Sequence, residues 1–231
     1  MFSYKKLNRV VKKSESNKKR HIPEILKILR ERYGLWRGRR DPFRVLIATV
    51  ISQRTKDETT DKVADALFKK YATPDALTKA SNRELEEILH PSGFYRQKAD
   101  RIRTISKIIL TRYNCKVPEN IDELLALPGV GRKTANCVLN YGFGKSAIAV
   151  DTHVHRVANR LGWVQTSMPL QTERALNELV PRERWVEVNS LFVDFGKDIC
   201  RPIRPRCAEC PINIYCEFYK KSASQRTQRK N

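Results

Sequence analysis

Four cysteines fall within seventeen residues near the end of the chain, Cys200, Cys207, Cys210 and Cys216, spaced C-x6-C-x2-C-x5-C. A loop this short can wrap four thiolates around one centre, so a metal site is much commoner for such a pattern than chance clustering. The spacing alone leaves structural zinc and an iron-sulfur cluster both open. Arg201, Arg204 and Arg206 stand between the first two cysteines, with Pro202 and Pro205 stiffening the segment. Three guanidinium groups on a metal-pinned loop are suited to phosphate oxygens, although a solvated charge run is the plainer reading. Cys115 and Cys137 lie outside the loop and read as core thiols.

A second concentration of chemistry is the stretch NIDELLALPGVGRKTANCVLNYG, residues 120–142. Ile121, Leu124 and Leu125, then Ala135, Val138 and Leu139, mark the inner faces of two short helices joined by Leu127-Pro128-Gly129-Val130-Gly131. Two glycines two apart permit a sharp turn with positive φ and a close approach of backbone to a ligand. The N–H groups that open the second helix then offer an anion site of the kind a phosphate would fill. Lys133 sits just inside that helix start, where the helix dipole disfavours an ammonium group. Partial burial would act in the same direction, as a nucleophilic amine requires. Asp151, directly before Thr-His-Val-His, reads both as the N-cap of a helix over 152–161 and as a carboxylate at the edge of a site.

The elements that must position these groups read as helices. Helix-start signals recur: Asp41 before Pro42, Thr73 before Pro74, Ser81 with Glu84, and Asn120 with Glu123. Apolar residues of helical period follow them, as in Phe43, Leu46, Ile47 and Val50, and again in Ile102, Ile105, Ile108 and Ile109. A further helix fits Ile22 to Arg32, and strand alternation is sustained nowhere. The expectation is an all-α fold of roughly ten helices with short connections, which the spacing of these signals sets.

Composition points to the partner. The formal net charge is +21 over 231 residues, a field that attracts polyanions and makes their binding salt-dependent. Residues 1–20 hold eight Lys/Arg against one Glu, and residues 217–231 hold five against one, so about half of the excess belongs to the body of the chain. No apolar run reaches the roughly 20 residues of a spanning helix, and residues 1–11 lack a signal-peptide core. An intracellular, reducing compartment and no membrane association are expected, which also favours metal ligation over disulfides for the cysteines.

Taken as a whole, LPGVGRKTA, then VDTHVHRV at 150–157, and DPF at 41–43 through Ile51-Ser52 resemble the endonuclease III family of helix-hairpin-helix DNA glycosylases, over nearly all of Ile25 to Tyr219. The resemblance implies a 4Fe-4S cluster on the four cysteines, Lys133 as catalytic amine and Asp151 as its companion carboxylate. It implies DNA contacts from Leu127, Gly129, Val130 and Gly131 of the hairpin, from Gln53 and Arg54, from Phe94 as an apolar wedge, from His153, and from Arg201, Arg204 and Arg206. The family's gap-filling glutamine aligns with Arg54, with Gln53 beside it, and a core aromatic is an equal alternative for Phe94. The implied architecture is a six-helix domain over 35–145, with the hairpin at about 121–141, and a cluster-bearing domain from 1–34 plus 146–231. Lys133 and Asp151 would face the cleft between them, and residues 1–20 and 220–231 would be flexible basic arms. The implied activity is removal of oxidised pyrimidines of the thymine glycol type from double-stranded DNA, with strand cleavage at abasic sites, by a monomer located in the cytoplasm or on the nucleoid. A mismatch-specific thymine or uracil glycosylase and a non-catalytic DNA-binding module are the alternatives.

Overall fold

The structure, a computed structural model, describes residues 21–35 and 39–228, with side chains described as far as Ser222. Twelve α-helices and no strand occur among the described residues, in line with the all-α expectation. After α1 (residues 21–33) come α2 (Pro42–Ile51), α3 (Asp57–Lys70), α4 (Pro74–Lys79), α5 (Asn82–Leu89) and α6 (Tyr95–Arg112). These are followed by α7 (Ile121–Leu125), α8 (Arg132–Cys137), α9 (Thr152–Leu161), α10 (Pro169–Leu179), α11 (Trp185–Asp198) and α12 (Glu217–Gln228). None of the described helices is long and apolar enough to cross a membrane.

The start signals act through hydrogen bonds that satisfy otherwise orphaned N–H groups. The Asp41 carboxylate accepts from Arg44 N at 2.7 Å with Pro42 opening α2, and Thr73 Oγ1 accepts from Ala76 N at 3.2 Å to open α4. Ser81 and Glu84 form a reciprocal capping box on α5, and Asn120 accepts from the N–H groups of Asp122 and Glu123 to open α7. Each such cap is worth about 1 kcal/mol.

The chain forms two compact units, one of residues 38–149 and one of residues 1–37 with 150–231. In the first, α2 buries Phe43, Val45, Leu46, Ile47, Val50 and Ile51, nearly its whole circumference, and α3, α6 and α8 pack around it. The hairpin's second helix does not simply continue. It widens into a π-helical turn, Val138–Gly142, in which Phe143 N donates to Val138 O at 3.2 Å. Its last residue packs closely on the start of α2: a Cβ on Gly142 would lie 2.9 Å from the Cα of Pro42. The buried run 147–150 follows, satisfied by side-chain amides one turn apart, with Asn136 Nδ2 donating to Ile148 O at 3.0 Å and Asn140 Nδ2 to Ala147 O at 3.2 Å. Those bonds tie 147 and 148 to α8 and its extension, and this unit runs to residue 149, where the sequence reading places the boundary at 145.

In the second unit α1 buries Ile22, Ile25, Leu26 and Leu29. Helices α9 and α11 pack together through Val154, Val157, Leu191 and Phe195, and Trp163 lies against Phe192 with ring centroids 5.1 Å apart. Residues 220–228, expected within a flexible arm, instead belong to α12. The helix is anchored at its start, where Lys220 N donates to Cys216 O at 3.2 Å and the Arg160 guanidinium stacks 4.7 Å over the Phe218 ring. The other expected arm, residues 1–20, lies outside the described residues.

Candidate functional site

The hairpin turns at Gly129, whose φ of +74° falls in the left-handed region that glycine tolerates. Gly131, expected to share that role, has a φ of −96° and caps α8 with extended backbone. Its missing Cβ would meet nothing within 4 Å, so what glycine supplies there is open approach to the backbone. Leu127 and Val130 send their side chains into the core, leaving their backbone as the part available to a ligand. Lys133 is the second residue of α8 and is half-buried.

Two turns of the same unit converge near the hairpin. Gln53 donates through Nε2 to Gly129 O at 2.9 Å and accepts from Arg101 Nη1 at 3.2 Å, so the turn after α2 is tied directly to the glycine turn. Arg54 and Phe94 both adopt left-handed backbone, with φ of 56° and 49°. Left-handed backbone at a bulky residue costs about 1–3 kcal/mol and concentrates at functional sites. Their side chains stack, the Arg54 guanidinium 5.3 Å from the Phe94 ring centroid. Phe94 is 55% exposed, which removes the core-aromatic alternative. Beneath this pair is a residue that the sequence did not single out. Lys98 on α6 is buried, and its ammonium donates to Ile51 O, Thr55 Oγ1 and Ser92 O. With 46 Lys and Arg in the chain, only burial distinguishes it.

In the other unit the Asp151 carboxylate caps α9, its Oδ1 accepting from His153 N and Val154 N at 2.9 Å each. His153 turns its Nδ1 toward Arg156 Nη2, 3.1 Å away, and packs against Gly196. The far end of α9 holds the cysteine loop. Arg156 donates to Cys200 O at 2.9 Å and to Gly196 O at 2.9 Å. Arg160 donates to Arg201 O at 2.6 Å and to Pro202 O at 2.9 Å. Neither arginine was singled out from the sequence, because the only signal they carry there is their spacing of one helical turn. One ten-residue rod thus joins the candidate carboxylate to the loop.

Cys200, Cys207, Cys210 and Cys216 line a single cavity together with Val157, Leu161, Phe195 and Ile212. Among the described residues no group of three or more His, Cys, Asp or Glu converges closely enough to hold a metal ion. Burial pushes the Cys210 thiol up to about 11 and raises that of Cys216, so bare thiolates are disfavoured without a compensating cation. Of the loop arginines, Arg201 and Arg204 are exposed, and Arg204 has a left-handed φ of 50°. Arg206 turns inward and is bonded to the Asp198 carboxylate and, through Nη1, to Glu209 at 3.4 Å. The Tyr33 hydroxyl also donates to Asp198 at 2.8 Å and, with Arg32 and Arg206, holds that carboxyl below its ordinary range. Asp198 therefore couples α1, α11 and the loop, a contribution present at neutral pH and lost as pH falls through its lowered pKa.

Comparison with known proteins places this arrangement. Residues 47–182 match the model of the HhH-GPD superfamily of base excision DNA repair proteins. The chain is 50% identical over 200 residues to Endonuclease III of Thermotoga maritima, covering 87% of this chain and 94% of that protein. A solved structure of a non-covalent Endonuclease III–DNA complex superposes with a TM-score of 0.82 at 37% identity, over 89% of this chain and 98% of that one. A trapped Endonuclease III–DNA covalent intermediate does so with a TM-score of 0.80, at the same identity and coverage. The chain belongs to the endonuclease III family of base-excision repair enzymes, bifunctional DNA glycosylases and abasic-site lyases known to carry a 4Fe-4S cluster.

Proposed function

We propose that the protein removes oxidised pyrimidines of the thymine glycol type from double-stranded DNA and cleaves the strand at the resulting abasic site, acting as a monomer with Lys133 as its nucleophile. The observation that carries this reading is the position of Lys133, half-buried in the first turn of α8 and directly after the Gly129–Gly131 turn. The damaged base leaves the stack at a cost of a few kcal/mol, less for a lesion that stacks poorly. The free amine of Lys133 attacks C1′ of the deoxyribose, and the base departs with the electrons of the N-glycosidic bond and takes up a proton. The nitrogen lone pair then expels O4′, which takes up a proton as the sugar ring opens, and the resulting protonated imine acidifies the C2′ proton. Its removal expels the 3′ phosphate, and water then releases the lysine. Asp151 stabilises the positive charge that develops on the sugar. Backbone N–H groups of the hairpin hold a phosphate, while Gln53, Arg54 and Phe94 occupy the space that the flipped nucleotide leaves. Exposed Arg201 and Arg204 supply further phosphate contacts, and His153 lies beside Asp151 at the start of α9.

The four cysteines suit a 4Fe-4S cluster. All four thiols line one cavity, and the cationic irons of such a group would stabilise the thiolates that burial disfavours. Cys200, Cys207, Cys210 and Cys216 would hold the cluster, which would then staple the arginine-bearing loop.

Single-turnover incubation with duplexes holding thymine glycol, uracil or a G·T mismatch tests the substrate class. Thymine glycol should be released and the strand cut roughly a hundredfold faster than at either alternative. Faster excision at the mismatch would reassign the protein to the thymine or uracil class, and tight binding without turnover would leave a binding module. Asp151→Asn separates the two readings of that residue. Asparagine caps a helix as well as aspartate does, so stability should change by only a few tenths of a kcal/mol. Base release should nonetheless slow by about a hundredfold, from loss of the charge. Unchanged turnover would leave Asp151 as a cap alone.

A further inference from the structure

Lys98 sits where a cation is least welcome. It is 2% exposed and stands in the first turns of α6, at the positive end of the helix dipole. No carboxylate is bonded to it. Its three protons go instead to neutral oxygens on separate pieces of backbone: Ile51 O at the end of α2 at 2.8 Å, Thr55 Oγ1 at 2.7 Å and Ser92 O at 2.7 Å. Burial pushes its pKa down to about 8, so at neutral pH the group is the ammonium and all three donors are placed. The acceptors belong to two turns far apart in sequence. Thr55 lies in the turn that carries Gln53 and Arg54, and Ser92 in the turn that leads to Phe94. Thr55 Oγ1 is itself bonded to Ser92 O, which closes a ring of hydrogen bonds around the ammonium. Directly outside this ring Arg54 and Phe94 stack, each in strained left-handed backbone. The same residues, with Gln53, Gln97, Lys98 and Arg101, line an open polar pocket.

We propose that Lys98 is a positioning residue that locks the Gln53–Thr55 turn and the Ser92–Phe94 turn into one rigid wedge, so that Arg54 and Phe94 enter the duplex as a preformed stacked pair. A buried charge satisfied only by neutral oxygens is a poor device for stability, because removing both sides of such an arrangement is often neutral or favourable. It is a good device for geometry. The tetrahedral ammonium admits one mutual placement of three acceptors, and it opposes relaxation of two backbone segments that would otherwise leave the left-handed region. Simple packing of one turn on the other would leave the strained conformations of Arg54 and Phe94 without a restraint. The inference rests on the reading that this pair enters DNA, and the test below separates failure of one from failure of the other.

The test compares wild type with Lys98→Met, which keeps the length and apolar stem, and Thr55→Val, which leaves the lysine in place but deletes one acceptor. Three quantities are measured: the thermal unfolding midpoint; emission of 2-aminopurine placed opposite a tetrahydrofuran abasic analogue, which reports unstacking without chemistry; and single-turnover rates of thymine glycol excision and of β-elimination at a preformed abasic site. Both variants should remain folded at the assay temperature, lose most of the 2-aminopurine increase and excise thymine glycol at least about tenfold more slowly, the scale of a misplaced positioning group. β-elimination, which needs no base to be extruded, should change by less than about threefold. Equal losses in both rates, or an intact 2-aminopurine response in either folded variant, would overturn the proposal. Should Lys98→Met not fold, Thr55→Val decides by the same criteria. If the wild-type protein itself shows no 2-aminopurine response, the premise that the stacked pair enters DNA fails first, and the assignment of Lys98 fails with it.

Discussion

Lys133→Gln reduces strand cleavage by about ten-thousand-fold and eliminates borohydride-trapped product, while duplex affinity changes by no more than about threefold. The first figure follows from the role: a residue that forms the covalent intermediate has no substitute in the site, and removing such a nucleophile costs several powers of ten in rate. The second follows from counterion release. Losing one cation among the several that neutralise phosphates lowers the salt slope by about one unit and leaves the remaining contacts in place. Glutamine preserves most of the length and the capacity to hydrogen-bond within the first turn of α8, so the hairpin fold should persist. Rates from gel-resolved single turnover, paired with binding isotherms at two salt concentrations, check both halves. A variant that still cleaved within tenfold of wild type would remove Lys133 from the chemistry.

The second large effect is expected from the cysteine loop. Cys210→Ser removes one of four thiols lining the common cavity. We expect loss of absorbance near 400 nm and a drop of roughly 10 °C in the unfolding midpoint, since metal-site energy is folding energy and about 3 kcal/mol corresponds to that shift in a chain of this size. The loss should not stay local. Arg160 holds the carbonyls of Arg201 and Pro202, Arg156 holds that of Cys200, and both stand on the helix whose first residues the Asp151 carboxylate caps. Slackening the loop therefore releases α9 at its far end and degrades the placement of Asp151. Base release should fall by about tenfold even in the fraction that remains folded. Retention of colour, stability and rate together in Cys210→Ser would argue against a cluster at this position, whereas a colourless wild-type protein with bound zinc would reassign the metal.

The contrast between what the sequence displays and what it conceals has a physical pattern. Asp41-Pro42, Thr73-Pro74, Ser81 with Glu84, and Asn120 all cap the helices they were read to cap, because an N-cap is a local bargain between a side chain and N–H groups two or three residues on. The cysteine spacing brings four thiols to the lining of one cavity, since a short loop leaves them little freedom, although among the described residues they do not converge on one ion. Lys98 was invisible for the opposite reason. Its partners at positions 51, 55 and 92 are distant in sequence, and among so many surface lysines its type carries no signal. Asn136 and Asn140 look like ordinary polar positions on a short helix, yet they satisfy a buried extended run that has no sheet to join. Gly142 meets the backbone of Pro42, a contact that no pattern of apolar residues encodes. Even the glycine pair was half legible: one residue needs positive φ and the other needs only the absence of a side chain.

The measurement that bears most directly on the central claim is a borohydride trap followed by peptide mapping. Wild-type protein is incubated with a thymine glycol duplex in the presence of sodium borohydride, digested with protease and nuclease, and the modified peptide is sequenced by mass spectrometry. A reduced sugar adduct on the Lys133 side chain, formed at the rate of strand cleavage, is the predicted result. An adduct on any other amine, or strand cleavage with no adduct at all, would contradict the assignment of Lys133 as the nucleophile.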